Sequence, residues 1–376
     1  RDEVTFTKTG NDLIVSIVGE TDTLKIKNYY FLDQNRVEFF SFADGVVLTE
    51  AEIDVLAVLS QATSGADTIT GTSKADAIEG LAGNDVLKGE DGEDRYVFRT
   101  GFGQDVIQES SGNVSLSDKD TMEFGDDFTS DLAVLSRIGD DLIISFTGRT
   151  DTVRVQGQFS HGAWYPSYTD VEVVKFADGV VWTDADIRSR LFAASQTEGA
   201  DVVTGYFTDD LLDGGTGDDR MEGKGGSDTY VFERGDGQDV ILDLAAQQYE
   251  DTEDALVFGK SISLADVTFL KEGDDLRIAI AGGSDEILIE DQFNRLYSGI
   301  EVFRFADGTT RTSAEVATAA LQNLATVGND TITGTSAVNI LDGLAGQDDL
   351  SGRVGADQYV FGRGYGSDLI IDNGDR

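Results

Sequence analysis

Across 376 residues, 28 lysines and arginines stand against 71 aspartates and glutamates, a formal charge of −43 that a compact chain holds poorly unless cations neutralise it. No basic cluster exists to displace phosphate counterions, which argues against nucleic acid and anionic membrane surfaces as partners, and the absence of cysteine excludes disulfides and thiolate metal sites. With 40% hydrophobic residues, 9% aromatic residues and a single proline, the chain is expected to bury a core once its counterions are present, without any apolar run near the roughly 20 residues that membrane insertion requires.

In chain order, Arg1 is followed by strand-like alternation, not by a signal sequence, and residues 1–64 read as a small hairpin-and-helix unit cut at its N-terminal end. Strand candidates at residues 13–17 and 24–26 form one hairpin, and Phe42-Ala43-Asp44-Gly45 marks the turn of a second. Thr49 with Glu52 then has the spacing of a capping box, ahead of the helically spaced Ile53, Leu56 and Leu59. The unit returns over residues 110–198, with strands at 142–146 and 153–155, the turn Phe176-Ala177-Asp178-Gly179 and the pair Thr183 and Asp186. It returns again over residues 244–327, with strands at 276–280 and 287–289, the turn Phe305-Ala306-Asp307-Gly308 and the pair Thr312 and Glu315.

Between these units lie three glycine-rich arrays, at residues 65–109, 199–243 and 328–376. Gly65-Ala66-Asp67-Thr68-Ile69-Thr70-Gly71 recurs with small changes at Gly199 and at Gly328, so the chain is nearly three copies of one large repeat. Both ends are expected to be cuts through a longer repetitive protein. Inside each array aspartates, with one asparagine among them, step by nine: Asp67, Asp76, Asp85 and Asp94; Asp201, Asp210, Asp219 and Asp228; Asp330, Asn339, Asp348 and Asp357. Each ladder closes eleven residues later, at Asp105, Asp239 and Asp368, and an apolar residue follows every rung two positions on.

Runs such as Gly80-Leu81-Ala82-Gly83-Asn84-Asp85 supply residues able to take positive φ, so that backbone carbonyls converge on one point. Calcium suits that arrangement, since it takes six to eight carboxylate and carbonyl oxygens at about 2.3–2.6 Å. If two nonapeptides make one coil of a parallel roll, alternate turns stack, and Asp67 pairs with Asp85 and Asp76 with Asp94. Aspartates acting only as turn formers would not need strict nine-residue spacing, and stacked carboxylates without an ion would repel. No Asp-x-Asp-x-Asp-Gly loop with a twelfth-position glutamate appears, so the ladders are not EF-hands.

These runs resemble the glycine-glycine-x-glycine-x-aspartate-x-apolar-x nonapeptide of the RTX family, the haemolysin-type calcium-binding repeats, over a little more than a third of the chain. The intervening units resemble the accessory domain found beside such repeats. The resemblance implies a mostly β fold of tandem parallel β-rolls alternating with small β-hairpin-plus-helix accessory domains. It also implies Ca2+ at the ladder, export in an unfolded state through a type I secretion machine, and folding outside the cell. The pattern departs where Asn339 replaces aspartate, where Lys74, Thr208 and Ala337 stand at a usual glycine, and where the first turn of each array lacks upstream glycines, so those sites are expected to be weaker or empty.

No catalytic residue is assigned. His161 is the single histidine, no Gly-x-Ser-x-Gly turn exists, and one histidine without a thiolate makes no zinc site. Acidic pairs such as Asp140-Asp141, Asp218-Asp219, Asp274-Asp275 and Asp348-Asp349 recur from copy to copy, which points to a structural role. Aromatics after the second strand of each accessory unit vary: Tyr29, Tyr30 and Phe31; His161, Trp164, Tyr165 and Tyr168; Phe293 and Tyr297. They either lid a small core or stack on a polysaccharide or cell-surface sugar. Two functional readings follow, both non-enzymatic within this segment and extracellular. One is a spacer or adhesin-like stalk, stiff and extended, with roughly three calcium ions per array. The other is a calcium-triggered secretion and folding module of a toxin, protease or carbohydrate-active enzyme whose catalytic domain lies elsewhere.

Overall fold

The structure, a computed structural model, describes residues 1–31, 35–109, 119–125, 127–160, 171–243, 253–294 and 299–372. Contacts divide the chain into two compact units, residues 1–191 and 192–376. The fold is mostly β, with three short α-helices among the described residues: α1 (Glu50–Leu59), α2 (Asp184–Ser195) and α3 (Ser313–Gln322).

The first unit begins with an antiparallel meander, Val4–Thr9, Asp12–Ile17 and Thr23–Ile26, and a hairpin of Phe39–Ser41 with Val47–Thr49. Helix α1 starts where the capping-box spacing places it: Thr49 Oγ1 accepts from the Glu52 N–H, and Glu52 accepts from the Thr49 N–H at 2.8 Å. Ile53 and Ala57 of α1 join Phe6, Leu13, Tyr29 and Leu48 in one core. The chain then winds into a parallel roll whose strands alternate between two sheets. One sheet stacks Thr68–Thr70, Val86–Lys88 and Gln104–Ile107; the other stacks Ala77–Ile78, Arg95–Phe98 and Thr121–Phe124. The apolar residues two positions past the ladder, Ile69, Ile78, Leu87, Tyr96 and Ile107, are all buried, because strand alternation sends them inward when the aspartate sits at the turn.

The roll does not stop at the array. Gln104–Ile107 pairs in parallel with Thr152–Val155, which continues antiparallel into Asp141–Phe146 and Ala133–Ile138. On the other side Thr121–Phe124 pairs in parallel with Val173–Lys175, and that strand with Val181–Thr183. The expected boundary between residues 109 and 110 therefore falls inside two continuous sheets, and the accessory strands cover the last edge of the roll. At the first edge the Gln61 side chain stands in for a strand, donating to the Thr70 carbonyl at 2.9 Å and accepting from the Thr70 N–H at 3.1 Å.

The second unit repeats the plan. Val202–Thr204, Arg220–Glu222 and Gln238–Leu242 continue through Glu286–Ile289 to Asp275–Ile280 and Val267–Glu272. Leu211–Asp213 and Thr229–Phe232 continue through Ala255–Phe258 to Val302–Arg304 and Thr310–Thr312. Both sheets share one core, in which Val203, Met221 and Ile241 meet Leu212, Tyr230 and Leu256. Helix α3 puts Val316, Ala317 and Ala320 into that core, while its Leu321 packs with Ile332, Leu341 and Leu350 of the third array. The third array has sheets of three strands (Thr331–Thr333, Asp349–Arg353, Leu369–Asp372) and two (Ile340–Asp342, Gln358–Val360).

Of the variable aromatics, Tyr29 and Phe293 are core residues, whereas Phe31 is 62% exposed. His161, Trp164, Tyr165, Tyr168 and Tyr297 lie outside the described residues. No helix among the described residues is long and apolar enough to cross a membrane.

Candidate metal centre

Each turn brings three features together. Gly80 opens its turn so close to the Asp85 carboxylate that a methyl group built there would overlap Oδ2. The next residue, Leu81, turns the chain with φ of 67°, and Gly83, at φ of +153°, lies against the Gly65 carbonyl of the preceding coil. The carboxylate at the end of the turn is thus wrapped by its own backbone and by the turn eighteen residues earlier.

The ladder is continuous. Asp67 N–H donates to Asp85 Oδ1 at 2.8 Å, and Asp85 N–H to Asp105 Oδ1 at 2.9 Å. On the opposite edge Asp76 N–H donates to Asp94 Oδ1 at 2.8 Å. The second array repeats this through Asp201 to Asp219, Asp219 to Asp239 and Asp210 to Asp228, at 2.8, 3.0 and 2.9 Å. In the third, Asp330 pairs with Asp348, Asn339 with Asp357 and Asp348 with Asp368, at 2.9, 2.8 and 3.2 Å. The pairs expected from nine-residue spacing are neighbours, joined by one oxygen of each carboxylate.

The second oxygen separates the rungs into two kinds. Oδ2 of Asp85, Asp105, Asp219, Asp228, Asp239, Asp348 and Asp357 is buried and accepts no hydrogen bond. Burying an ionised oxygen without a donor is costly, and a cation is the ligand that carboxylate and carbonyl oxygens in a glycine turn can serve. The entry rungs differ. Oδ2 of Asp67, Asp201 and Asp330 accepts from the N–H of Thr63, Thr197 and Thr326, four residues upstream, at 2.6, 2.6 and 2.7 Å. Asp76, Asp210 and Asn339 are held likewise by the N–H of Thr72, Tyr206 and Thr335. A Thr-x-x-x-Asp pattern visible in the chain marks several of these capped turns.

Burial pushes the Asp105 and Asp239 carboxyls up to about 7 and that of Asp228 up to about 9, against a downward pull from the N–H each accepts. Asp85 and Asp219 are raised for the same reason. The neighbours of the ladder are carboxylates that push the same way, Asp151 beside Asp105 and Asp254 beside Asp228.

The spacing rule missed where the ladder goes next. Asp94 N–H donates to Asp120 Oδ1 at 2.7 Å, and Asp120 N–H to Glu172 Oε2 at 2.7 Å. In the second unit Asp228 N–H donates to Asp254 Oδ1 at 2.7 Å, and Asp254 N–H to Glu301 Oε2 at 2.8 Å. The recurring acidic pairs have structural partners: Asp218 Oδ1 accepts from Gln238 N–H at 3.0 Å, Asp141 Oδ1 from Gly157 N–H at 2.7 Å, and Asp275 Oδ1 from Asp291 N–H at 2.8 Å.

Leu81, Gly215 and Leu344 are equivalent positions, all with left-handed φ (67°, 79° and 60°), and only the middle one is glycine. A side chain there costs about 1–2 kcal/mol of backbone strain, partly offset by the greater freedom of unfolded glycine. Leu81→Gly is therefore expected to stabilise the first array by up to about 1 kcal/mol, read as a higher urea midpoint at fixed calcium. A lowered midpoint would mean that the half-exposed leucine contributes packing that outweighs its strain.

Comparison with known proteins bears on this arrangement. The family model described as RTX calcium-binding nonapeptide repeat (4 copies) matches residues 61–96, 196–230 and 324–359. The model of the haemolysin-type calcium binding protein related domain matches residues 12–52, 141–186 and 275–315. The chain is similar to the iron-regulated protein FrpA of Neisseria meningitidis serogroup C, at 29% identity over 126 residues, which are 33% of this chain and 10% of that protein. Among solved structures it is similar to the extracellular lipase LipA from Serratia marcescens, at 19% identity and a TM-score of 0.22, over 60% of this chain and 38% of the lipase. The matched stretch thus spans about a tenth of its curated relative.

Proposed function

From a chain that belongs to the RTX calcium-binding repeat family, its nonapeptide arrays interleaved with haemolysin-type calcium-binding related domains, we propose a calcium-rigidified spacer or adhesin-like stalk within a larger secreted protein. The fifteen ladder residues, from Asp67 to Asp368, are its metal positions, with the rungs whose Oδ2 accepts no hydrogen bond as the strong ligands and the capped rungs as the weak ones. The observation that carries this is the row of buried Oδ2 atoms that accept no hydrogen bond, those of Asp85, Asp219, Asp228, Asp348 and Asp357 lying against the first glycine of their own turn. Exported unfolded through a type I machine, the chain gains its rolls where calcium is plentiful, because ion binding then supplies folding free energy. No residue in the segment is assigned a chemical step.

Isothermal titration of the full chain tests the assignment. Several calcium ions, roughly three per array, are expected to bind in preference to magnesium, which demands a tighter shell. Asp219→Asn is expected to remove at least one of them, and an unchanged ion count in that variant would refute the ladder assignment.

The alternative, a folding module serving an activity encoded elsewhere, draws support from the relative of which this chain spans about a tenth. A fused reporter enzyme whose own activity appears only once external calcium has folded the chain would favour it over the stalk, and small-angle scattering from a stiff, extended particle would favour the stalk.

A further inference from the structure

The carboxylates at the junction of the second roll and its accessory strands include one residue outside the nine-residue ladder. Asp243 stands four residues past the closing rung Asp239 and is 2% exposed. Asp228, Asp243 and Asp254 each offer a carboxylate oxygen, and these oxygens all lie within 4.8 Å of one another. All three residues are buried, and this is the one such group among the described residues.

We propose that Asp228, Asp243 and Asp254 form a separate calcium site, which locks the accessory strands onto the last coil of the roll. An acidic cluster alone would not carry this. Here Asp228 Oδ2 and Asp243 Oδ2 are both buried and accept no hydrogen bond. The remaining oxygens are already oriented: Asp228 Oδ1 accepts from Asp210 N–H at 2.9 Å, and Asp254 Oδ1 from Asp228 N–H at 2.7 Å. Glu301, behind Asp254, holds the Asp254 N–H at 2.8 Å and adds further negative charge.

Three carboxylate oxygens within 4.8 Å of one another can share a single calcium ion, whose ligands at about 2.3–2.6 Å stand up to about 5 Å apart. The site differs from a repeat turn in drawing two of its three carboxylates from outside the nonapeptides, Asp243 after the closing strand Gln238–Leu242 and Asp254 before Ala255–Phe258. It joins segments that the array alone would leave apart.

The same position carries acid in the other copies, Glu109 and Asp372. In the first unit the Glu109 carboxylate accepts from the Tyr96 hydroxyl. The residue types are repeated there, and among the described residues the close approach of three oxygens is found in the second unit.

The inference rests on the calcium reading of the repeats for its ion and shares Asp228 with it, so the test must separate the two. Crystals of the unmodified chain grown with a lanthanide in place of calcium would give anomalous peaks at every occupied site. A peak within about 2.3–2.6 Å of Asp243 Oδ2 is the expected result. Peaks at the ladder turns with none beside Asp243 would overturn this site alone and leave protons as what neutralises it, whereas no peaks anywhere would overturn the ladder reading with it. In solution, Asp243→Asn is expected to bind one calcium fewer than the parent chain while Asp85→Asn retains the Asp243 site. An unchanged count in a folded Asp243→Asn would also overturn the proposal.

Discussion

In calcium-free buffer the chain is expected to be more stable at pH 5 than at pH 8, and millimolar calcium is expected to reverse that order. The carboxyls of Asp105 and Asp239 sit at about 7 in the folded chain, and those of Asp228 and Glu109 at about 9, against about 4 when unfolded. Because the folded values are raised, the apo fold takes up protons as it forms. Its stability is greatest below the unfolded value near pH 4 and is lost as pH climbs through the window from about 4 to about 7–9. Each proton taken up on folding steepens that loss by as much as about 1.4 kcal/mol per pH unit. Calcium competes for the same oxygens and needs them ionised, so its contribution grows over the same window. Urea unfolding followed by circular dichroism at both pH values, with and without calcium, reads the effect directly. The same pH trend in both buffers would show that protons and calcium do not share these sites.

A second large effect is expected from position within the ladder. Asp85 accepts from Asp67 N–H, donates its own N–H to Asp105, and keeps a buried Oδ2 that accepts no hydrogen bond. Asp67 is at the entry, and its side chain caps a turn by accepting from Thr63 N–H and Oγ1 at 2.6 and 2.8 Å. Asp85→Ala strands a backbone donor and removes a metal ligand, a combined loss of at least about 3 kcal/mol. Asp67→Ala removes a cap, a loss of about 1 kcal/mol. The calcium midpoint of the first array should therefore rise tenfold or more in Asp85→Ala and only a few-fold in Asp67→Ala. Equal midpoints would contradict the stacked-turn arrangement.

Much of this was legible because local rules repeat. The nine-residue step located the turns, the apolar residue two positions on located the core, and Thr49 with Glu52 and Thr312 with Glu315 located two helix starts whose capping boxes both form. The parallel pairing of Gln104–Ile107 with Thr152–Val155 was not legible, since 48 residues separate the partners and no period links them. For the same reason Asp120, Glu172, Asp254 and Glu301 escaped notice: they extend the ladder by 26 residues in both units and then by 52 and 47, far outside the nine-residue period, where register comes from the sheet. The split between capped rungs and rungs with a free Oδ2 depends on which oxygen finds a donor, which the Thr-x-x-x-Asp spacing marks at Asp67, Asp76, Asp201 and Asp330 and the folded turn decides at Asp210.

The most direct test of the central claim is a calcium titration of the chain at pH 8, where protons no longer hold the apo fold, followed by far-ultraviolet circular dichroism with magnesium as the control. A cooperative gain of β signal with calcium, and none at matched magnesium, is the predicted result. A full β spectrum in chelator, unchanged when calcium is added, would mean that the aspartates only form turns and that no ion is needed to hold the rolls.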